Sequence, residues 1–258
     1  MTAVWRWFRR GLYLAALAYL GAAAWLYFHQ RDLLYFPRPL SAPVADQAFA
    51  VASQGLELHG WVINPGKRTA LVYFGGNGEQ VERESGFFRA LLPDVSVYLL
   101  PYRGYSGNPG LPSEAALFAD ALKAFDAIAA KHAQVDAMGR SLGSGVAVYL
   151  AAHRPVHRLV LVTPFDSIEN VAQAQYPMFP IRFLLTDKFE SWRLAGTVHA
   201  PCLVLVAGDD RVIPRPNTEF LVAHMAPDPI EVVIPGAGHN SISDDARYSE
   251  AIGRFLRN

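Results

Sequence analysis

Ser141 stands in Gly139-Arg140-Ser141-Leu142-Gly143, with a glycine two residues before it and another two after. The flanking sequence reads as a short strand from Val135, a tight turn, and a helix of small residues running on from Leu142. A serine at the tip of such a turn is held in a strained backbone, and a side chain at either glycine position would crowd it. The helix that follows points its amide dipoles at the hydroxyl oxygen. A hydroxyl becomes a nucleophile only when a base takes its proton and a third group orients that base. Pro235-Gly236-Ala237-Gly238-His239-Asn240 offers a glycine-flanked base after an apolar run. Gly208-Asp209-Asp210-Arg211-Val212-Ile213-Pro214 follows another apolar run and offers two competing carboxylates. Acids placed just past the C-terminal ends of parallel strands lie where such sheets build their sites. The chemistry these residues could do is attack on an acyl carbon.

That chemistry needs donors for the oxyanion that develops. The backbone N–H of Leu142, next after the serine, is the first candidate. The second is the N–H of Asn77, in Tyr73-Phe74-Gly75-Gly76-Asn77-Gly78-Glu79, where glycines let a backbone amide approach a substrate. A plain glycine turn is the alternative reading of that segment. Ser144 falls one turn into the helix and reads as a packing residue. His29, His59, His132, His153, His157, His199 and His224 lack a glycine loop after the last strand and read as surface or capping residues. No H-E-x-x-H or paired Cys/His spacing occurs, and the single cysteine, Cys202, lies within an apolar run. Neither metal nor cofactor nor disulfide is expected.

These residues need elements to position them. With 258 residues, 52% of them hydrophobic and 18% charged, the chain can fold one sizeable domain around a packed core. Lys plus Arg number 23, as do Asp plus Glu, so no basic surplus points to nucleic acid. Leu56–Val62 alternates like a strand with one wet face. Unalternating apolar runs at Ala70–Phe74, Val95–Leu100, Leu159–Val162, Leu203–Ala207 and Ile230–Ile234 read as strands covered on both faces. Helical stretches near 80–92, 113–131, 142–153, 215–225 and 244–257 lie between or after them. The alternation predicts an α/β fold, with a mainly parallel central sheet and helices on both faces. About thirty residues between two strands include Tyr176-Pro177-Met178-Phe179-Pro180, whose prolines preclude one continuous helix. They are expected to form a small cap at about 165–195, with a plain surface excursion as the alternative.

The N-terminal stretch is of another kind. Gly11 to Phe28 is eighteen residues without a charge, preceded by Arg6, Arg9 and Arg10. At about 1.5 Å per residue it makes about 27 Å of helix, close to a ~30 Å hydrocarbon core. Residues 1–32 are expected to form a membrane anchor, with 33–258 on the exported side. The competing reading is a signal peptide cleaved near Ala22-Ala23-Ala24, which would release a secreted domain. From Leu33-Leu34-Tyr35-Phe36-Pro37 to Pro43 the sequence suits a linker.

Together these residues resemble the α/β-hydrolase superfamily. More narrowly, they resemble its membrane-anchored branch that includes the ABHD-type protein depalmitoylases and many uncharacterised bacterial members. The resemblance covers about residues 33–257. It rests on Leu33–Pro37, Phe74–Gly78, Tyr102-Arg103-Gly104-Tyr105-Ser106-Gly107-Asn108-Pro109-Gly110, the Ser141 turn, and the two acid and base loops. It implies a triad of Ser141, Asp210 and His239, because the family's acid precedes a Val/Ile-Pro pair by this spacing; Asp209 is then a loop residue. It also implies an oxyanion hole from the amides of Asn77 and Leu142. Relatives often carry His where Gly75 stands, and that His mainly braces the loop, so the difference bears on loop rigidity. The Tyr102–Gly110 loop could border an acyl pocket or brace the sheet edge. The expected activity is hydrolysis of a carboxylic ester or thioester through an acyl-enzyme, on a small-molecule or lipid-like acyl substrate. An aminopeptidase-like amide hydrolase, a haloperoxidase or lyase on the same fold, and a non-catalytic membrane-tethered binding protein are the alternatives.

Overall fold

Aliphatic strands without polar alternation need cover on both faces, and the chain supplies it. The computed structural model describes residues 3–41 and 46–257, so Pro43, at the end of the stretch read as a linker, lies outside the described residues. One sheet of eight strands contains Gln47–Ser53 (β1), Leu56–Ile63 (β2), Thr69–Phe74 (β3), Val95–Leu99 (β4), Gln134–Arg140 (β5), Leu159–Val162 (β6), Cys202–Ala207 (β7) and Ile230–Ile234 (β8). Their order is β1-β2-β4-β3-β5-β6-β7-β8. β2 runs antiparallel to both β1 and β4, and every other pair is parallel.

β1 was not expected from the sequence. Phe49, Val51 and Ser53 do point inward, but the exposed positions that alternate with them, Ala48, Ala50 and Ala52, are all alanines. Alanine supplies no polar half to the alternation, so the period of two is muted.

Helices cover both faces. Glu114–Ala129 (α3), Leu142–His153 (α4) and Arg215–Val222 (α8) bring Leu117, Phe125, Val146, Leu150 and Leu221 against Ala137, Leu159, Leu161 and Val204. On the other face Ser85–Leu91 (α2) and Ala246–Arg257 (α9) set Phe88, Tyr248, Ile252 and Leu256 against Leu71, Met138, Val160 and Leu203. Ala137 and Met138, adjacent in β5, thus enter opposite layers, as strand geometry requires. Ser113 starts α3 by accepting a hydrogen bond from the Ala116 N–H at 3.3 Å, an ordinary side-chain cap.

Between β6 and β7 the chain makes three short helices, Ile168–Gln175 (α5), Ile181–Leu184 (α6) and Ser191–Ala195 (α7). Pro177 and Pro180 fall in the gap between α5 and α6.

The first helix, Ala3–Leu34 (α1), outruns the uncharged segment at both ends and is long and apolar enough to cross a bilayer. Its C-terminal end is clamped to the β6–β7 connection. Arg31 makes a two-pronged pair with Asp187 at 3.0 and 3.2 Å, and the Tyr35 hydroxyl donates to the same carboxylate at 3.1 Å. Gln30 Oε1 accepts from the backbone N–H and the hydroxyl of Thr186 at 2.6 and 2.9 Å. Nor does the following segment hang free. The Ser106 N–H donates to the Arg38 carbonyl at 2.7 Å, Gln80 donates to that of Pro39 at 2.7 Å, and Ser41 donates to Glu82 at 3.0 Å.

Candidate active site

β5 ends at Arg140 and α4 begins at Leu142, so Ser141 alone makes the turn between them. Its backbone sits at φ 50° and ψ −119°, a strained conformation for a residue with a Cβ. The two glycines answer to contacts rather than to flexibility. A Cβ on Gly139 would collide with the Gly143 carbonyl, and one on Gly143 would collide with the Phe74 carbonyl. Ser144 turns its hydroxyl back to donate to the Ser141 carbonyl at 2.6 Å, away from any reacting position.

Ser141 Oγ lies 2.9 Å from His239 Nε2, and His239 Nδ1 lies 2.8 Å from Asp210 Oδ2. Ninety-eight residues of sequence separate the first pair, which the loops after β5, β7 and β8 bring to one end of the sheet. Only 8% of the side-chain surface of His239 and of Asp210 is exposed, so their contact is shielded from competing water. The second oxygen of Asp210 accepts from the backbone N–H groups of Val212 and Ile213 at 2.8 and 2.9 Å. Burial pushes the Asp210 carboxyl up, but the His239 hydrogen bond and these two amides outweigh it and hold it below its ordinary range. An ionised carboxylate only accepts, so Nδ1 of His239 carries the proton and Nε2 turns its lone pair to the serine hydroxyl. Asp209 is exposed, and among the described residues no hydrogen bond joins its side chain to His239. Asp166, a buried carboxylate after β6, is taken up by the side-chain amides of Asn170 and Asn217 instead of by His239.

Asn77 and Leu142 line one cavity with Ser141. Among the described residues, neither backbone N–H of this pair has a hydrogen-bond acceptor. The Gly76 N–H, by contrast, is occupied by Glu79 Oε2 at 2.8 Å. This loop is held on all sides although Gly75 supplies no side chain. The Tyr102 hydroxyl donates to the Gly75 carbonyl at 2.8 Å, and that of Tyr105 to the Asn77 carbonyl at 2.6 Å. The Phe36 N–H reaches the Asn77 carbonyl at 3.0 Å, and the Asn77 side chain donates to the Leu34 carbonyl at 3.1 Å. A Cβ on Gly75 would come within 2.6 Å of Val81 Cγ1 and 3.3 Å of the Glu79 carboxyl carbon, so the side chains of Val81 and Glu79 occupy the space a histidine there would need. The Tyr102–Gly110 loop therefore braces this segment from behind and is absent from the cavity lining.

Beside Ser141, Arg140 sits among Tyr73, Glu79, Glu84 and Tyr248. Burial works against its charge, but these neighbours outweigh it, and Glu84 is itself pushed up by burial and by Glu79. The cavity has a volume of about 220 Å³ and is mostly apolar. Sequence reasoning missed its walls: Leu26, Leu33 and Leu34 from α1, and Ile181 and Leu184 from α6. No local pattern in those helices announces that they face each other.

No protein-family model matches the chain. An uncharacterized protein of Mycobacterium tuberculosis is 36% identical over 260 residues, covering 94% of this chain and 92% of that one. The alpha/beta hydrolase domain-containing protein aho-3 of Caenorhabditis elegans is 28% identical over 199 residues, covering 74% of this chain and 58% of its own length. Among solved structures, the esterase Pf2001 of Pyrococcus furiosus superposes with a TM-score of 0.70 at 14% identity, over 86% of this chain and 98% of that one.

Proposed function

From the premise that the chain belongs to the α/β-hydrolase superfamily, and is a hydrolase by fold, we propose that it is a serine hydrolase cleaving a carboxylic ester or thioester. The observation that carries this reading is the unbroken relay of 2.9 and 2.8 Å from Ser141 through His239 to Asp210.

In the mechanism that follows, His239 Nε2 accepts the Ser141 proton as Oγ attacks the acyl carbon. Asp210 holds the ring in the tautomer with Nε2 free and stabilises the imidazolium that forms. The amides of Asn77 and Leu142 donate to the oxyanion. His239 then protonates the leaving alcohol or thiol, and the acyl group remains on Ser141. Water, deprotonated by His239, attacks the acyl-enzyme, releasing the acid and restoring the serine. Residues 33–258 are the catalytic domain in this reading, and the β6–β7 connection, about 165–195, is its cap. α1 serves as a single-pass anchor, and Arg6, Arg9 and Arg10 favour a cytoplasmic N-terminus with the domain on the exported side.

A fluorophosphonate probe tests the enzyme reading. The native chain should be labelled at Ser141 and should hydrolyse p-nitrophenyl esters; an unlabelled native chain inert to such esters would sink it. Mass spectrometry of the mature N-terminus tests the anchor, which fails if the chain begins near Trp25.

A further inference from the structure

The cavity beside Ser141 is walled on one side by α1, at Leu26, Gln30, Leu33 and Leu34. A helix with the composition of a membrane span thus forms part of an acyl site. The contact between α1 and the β6–β7 connection also reaches far along the helix. The Tyr19 hydroxyl donates to the Met178 carbonyl at 2.8 Å, and the Tyr19 ring stacks on Phe179 at 5.2 Å and 12°. Tyr19 lies in the middle of the uncharged run, nine residues before Phe28. At about 1.5 Å per residue that is roughly 13 Å of helix, nearly half of a ~30 Å hydrocarbon core.

If α1 spans a bilayer, whatever touches Tyr19 lies inside a leaflet. The segment that touches it suits hydrocarbon. Met178 is 72% exposed and Phe183 77%, with no protein against their outer faces, and Phe28 on α1 is 78% exposed. Isolated exposed apolar residues are ordinary, but a patch continuous with a membrane-length helix marks a membrane surface. Charged contacts gather at the end of α1, where Gln30 and Arg31 meet Thr186 and Asp187 and Lys188 donates to the Arg182 carbonyl. Arg182, exposed beside Phe183, can extend its guanidinium from that patch to a lipid phosphate.

We propose that the 176–183 segment and the outer half of α1 form one surface sunk into the bilayer, and that through it the cavity receives the acyl chain of a membrane lipid ester. The inference rests on the serine-hydrolase reading and names its substrate class. An ester at the glycerol level of a lipid lies just beneath the phosphate, so its chain can enter between α1 and α6 without crossing water. The scissile carbonyl then meets Ser141 at the end of the cavity.

The full chain, reconstituted in phosphatidylcholine vesicles, carries the test. The double variant Met178→Glu, Phe183→Glu changes residues outside the cavity, so a soluble fluorophosphonate should still label its Ser141 as in the native chain. Its hydrolysis of a long-chain glycerolipid ester held in the vesicle should fall at least about ten-fold, because a carboxylate in hydrocarbon costs more than that factor represents. A solvatochromic probe on Met178→Cys should be quenched by brominated acyl chains. An unquenched probe, native rates in the double variant, or native turnover confined to an S-acyl peptide would each overturn the proposal. Absence of labelling in the native chain would strike the serine-hydrolase reading instead, while the quenching measurement still decides the embedding.

Discussion

Glu79 fastens the Gly76 amide: the N–H donates to Oε2 at 2.8 Å, while Oε1 accepts from the Tyr73 hydroxyl at 2.6 Å. The next residue, Asn77, lines the cavity, and among the described residues no acceptor takes its N–H. Glu79→Ala would strand the Gly76 N–H and the buried Tyr73 hydroxyl, each costing about 1–3 kcal/mol. Thermal unfolding should register that loss. If Asn77 is the proposed oxyanion donor, turnover should show kcat down about ten- to a hundred-fold through its displacement, with KM nearly unchanged.

Gly75→His places there the residue that the family resemblance implies and should nevertheless destabilise this chain. Its Cβ would meet Val81 Cγ1 at 2.6 Å, and overpacking of this kind costs about 1–3 kcal/mol. Gly75→His with Val81→Ala should recover part of that loss. Melting temperatures of the two variants, with the native chain alongside, make the comparison.

The paired aspartates separate by their contacts. Asp210→Asn keeps the shape but favours the wrong His239 tautomer, and kcat should fall about 10³–10⁴-fold. Asp209→Asn, at an exposed position with no contact to the histidine, should remain within about two-fold of native. Steady-state kinetics on a soluble ester suffice.

Asp210 also sets a pH dependence of stability. Its folded carboxyl titrates below its unfolded value, so the folded state binds that proton less readily. The stabilisation is complete above the ordinary carboxylate pKa, about 3.9, and is lost as pH falls through the lower folded value. Melting temperatures of the native chain and Asp210→Asn should therefore differ at pH 7 and converge as the pH falls through the folded value of Asp210.

Much of the sheet was legible because aliphatic strands covered on both faces announce themselves locally, as Leu159–Val162 and Cys202–Ala207 do. The Ser141 turn was legible for the same reason, since its glycine spacing and its neighbouring elements all fall within a few residues. β1 escaped because alanines fill its outward positions. The seam between α1 and the β6–β7 connection escaped for another reason. Arg31 and Asp187 stand 156 residues apart, and nothing in either segment encodes the other. The amides of Val212 and Ile213 give a physical basis for the spacing that favoured Asp210, since a carboxylate two or three residues earlier can accept from both.

The last turns of α1 belong to the cavity wall, and this constrains how the domain could ever be freed from its helix. A cut after Ala24 would leave Trp25–Leu34, a ten-residue stub. Isolated helices shorter than about 12–15 residues are marginal in water. The stub would also lose Tyr19, its hold on Met178 and Phe179. The cavity wall at Leu26, Leu33 and Leu34 would then hang on the contacts of Gln30, Arg31 and Tyr35 with Thr186 and Asp187, so proteolysis that freed the domain would also loosen one side of its cavity.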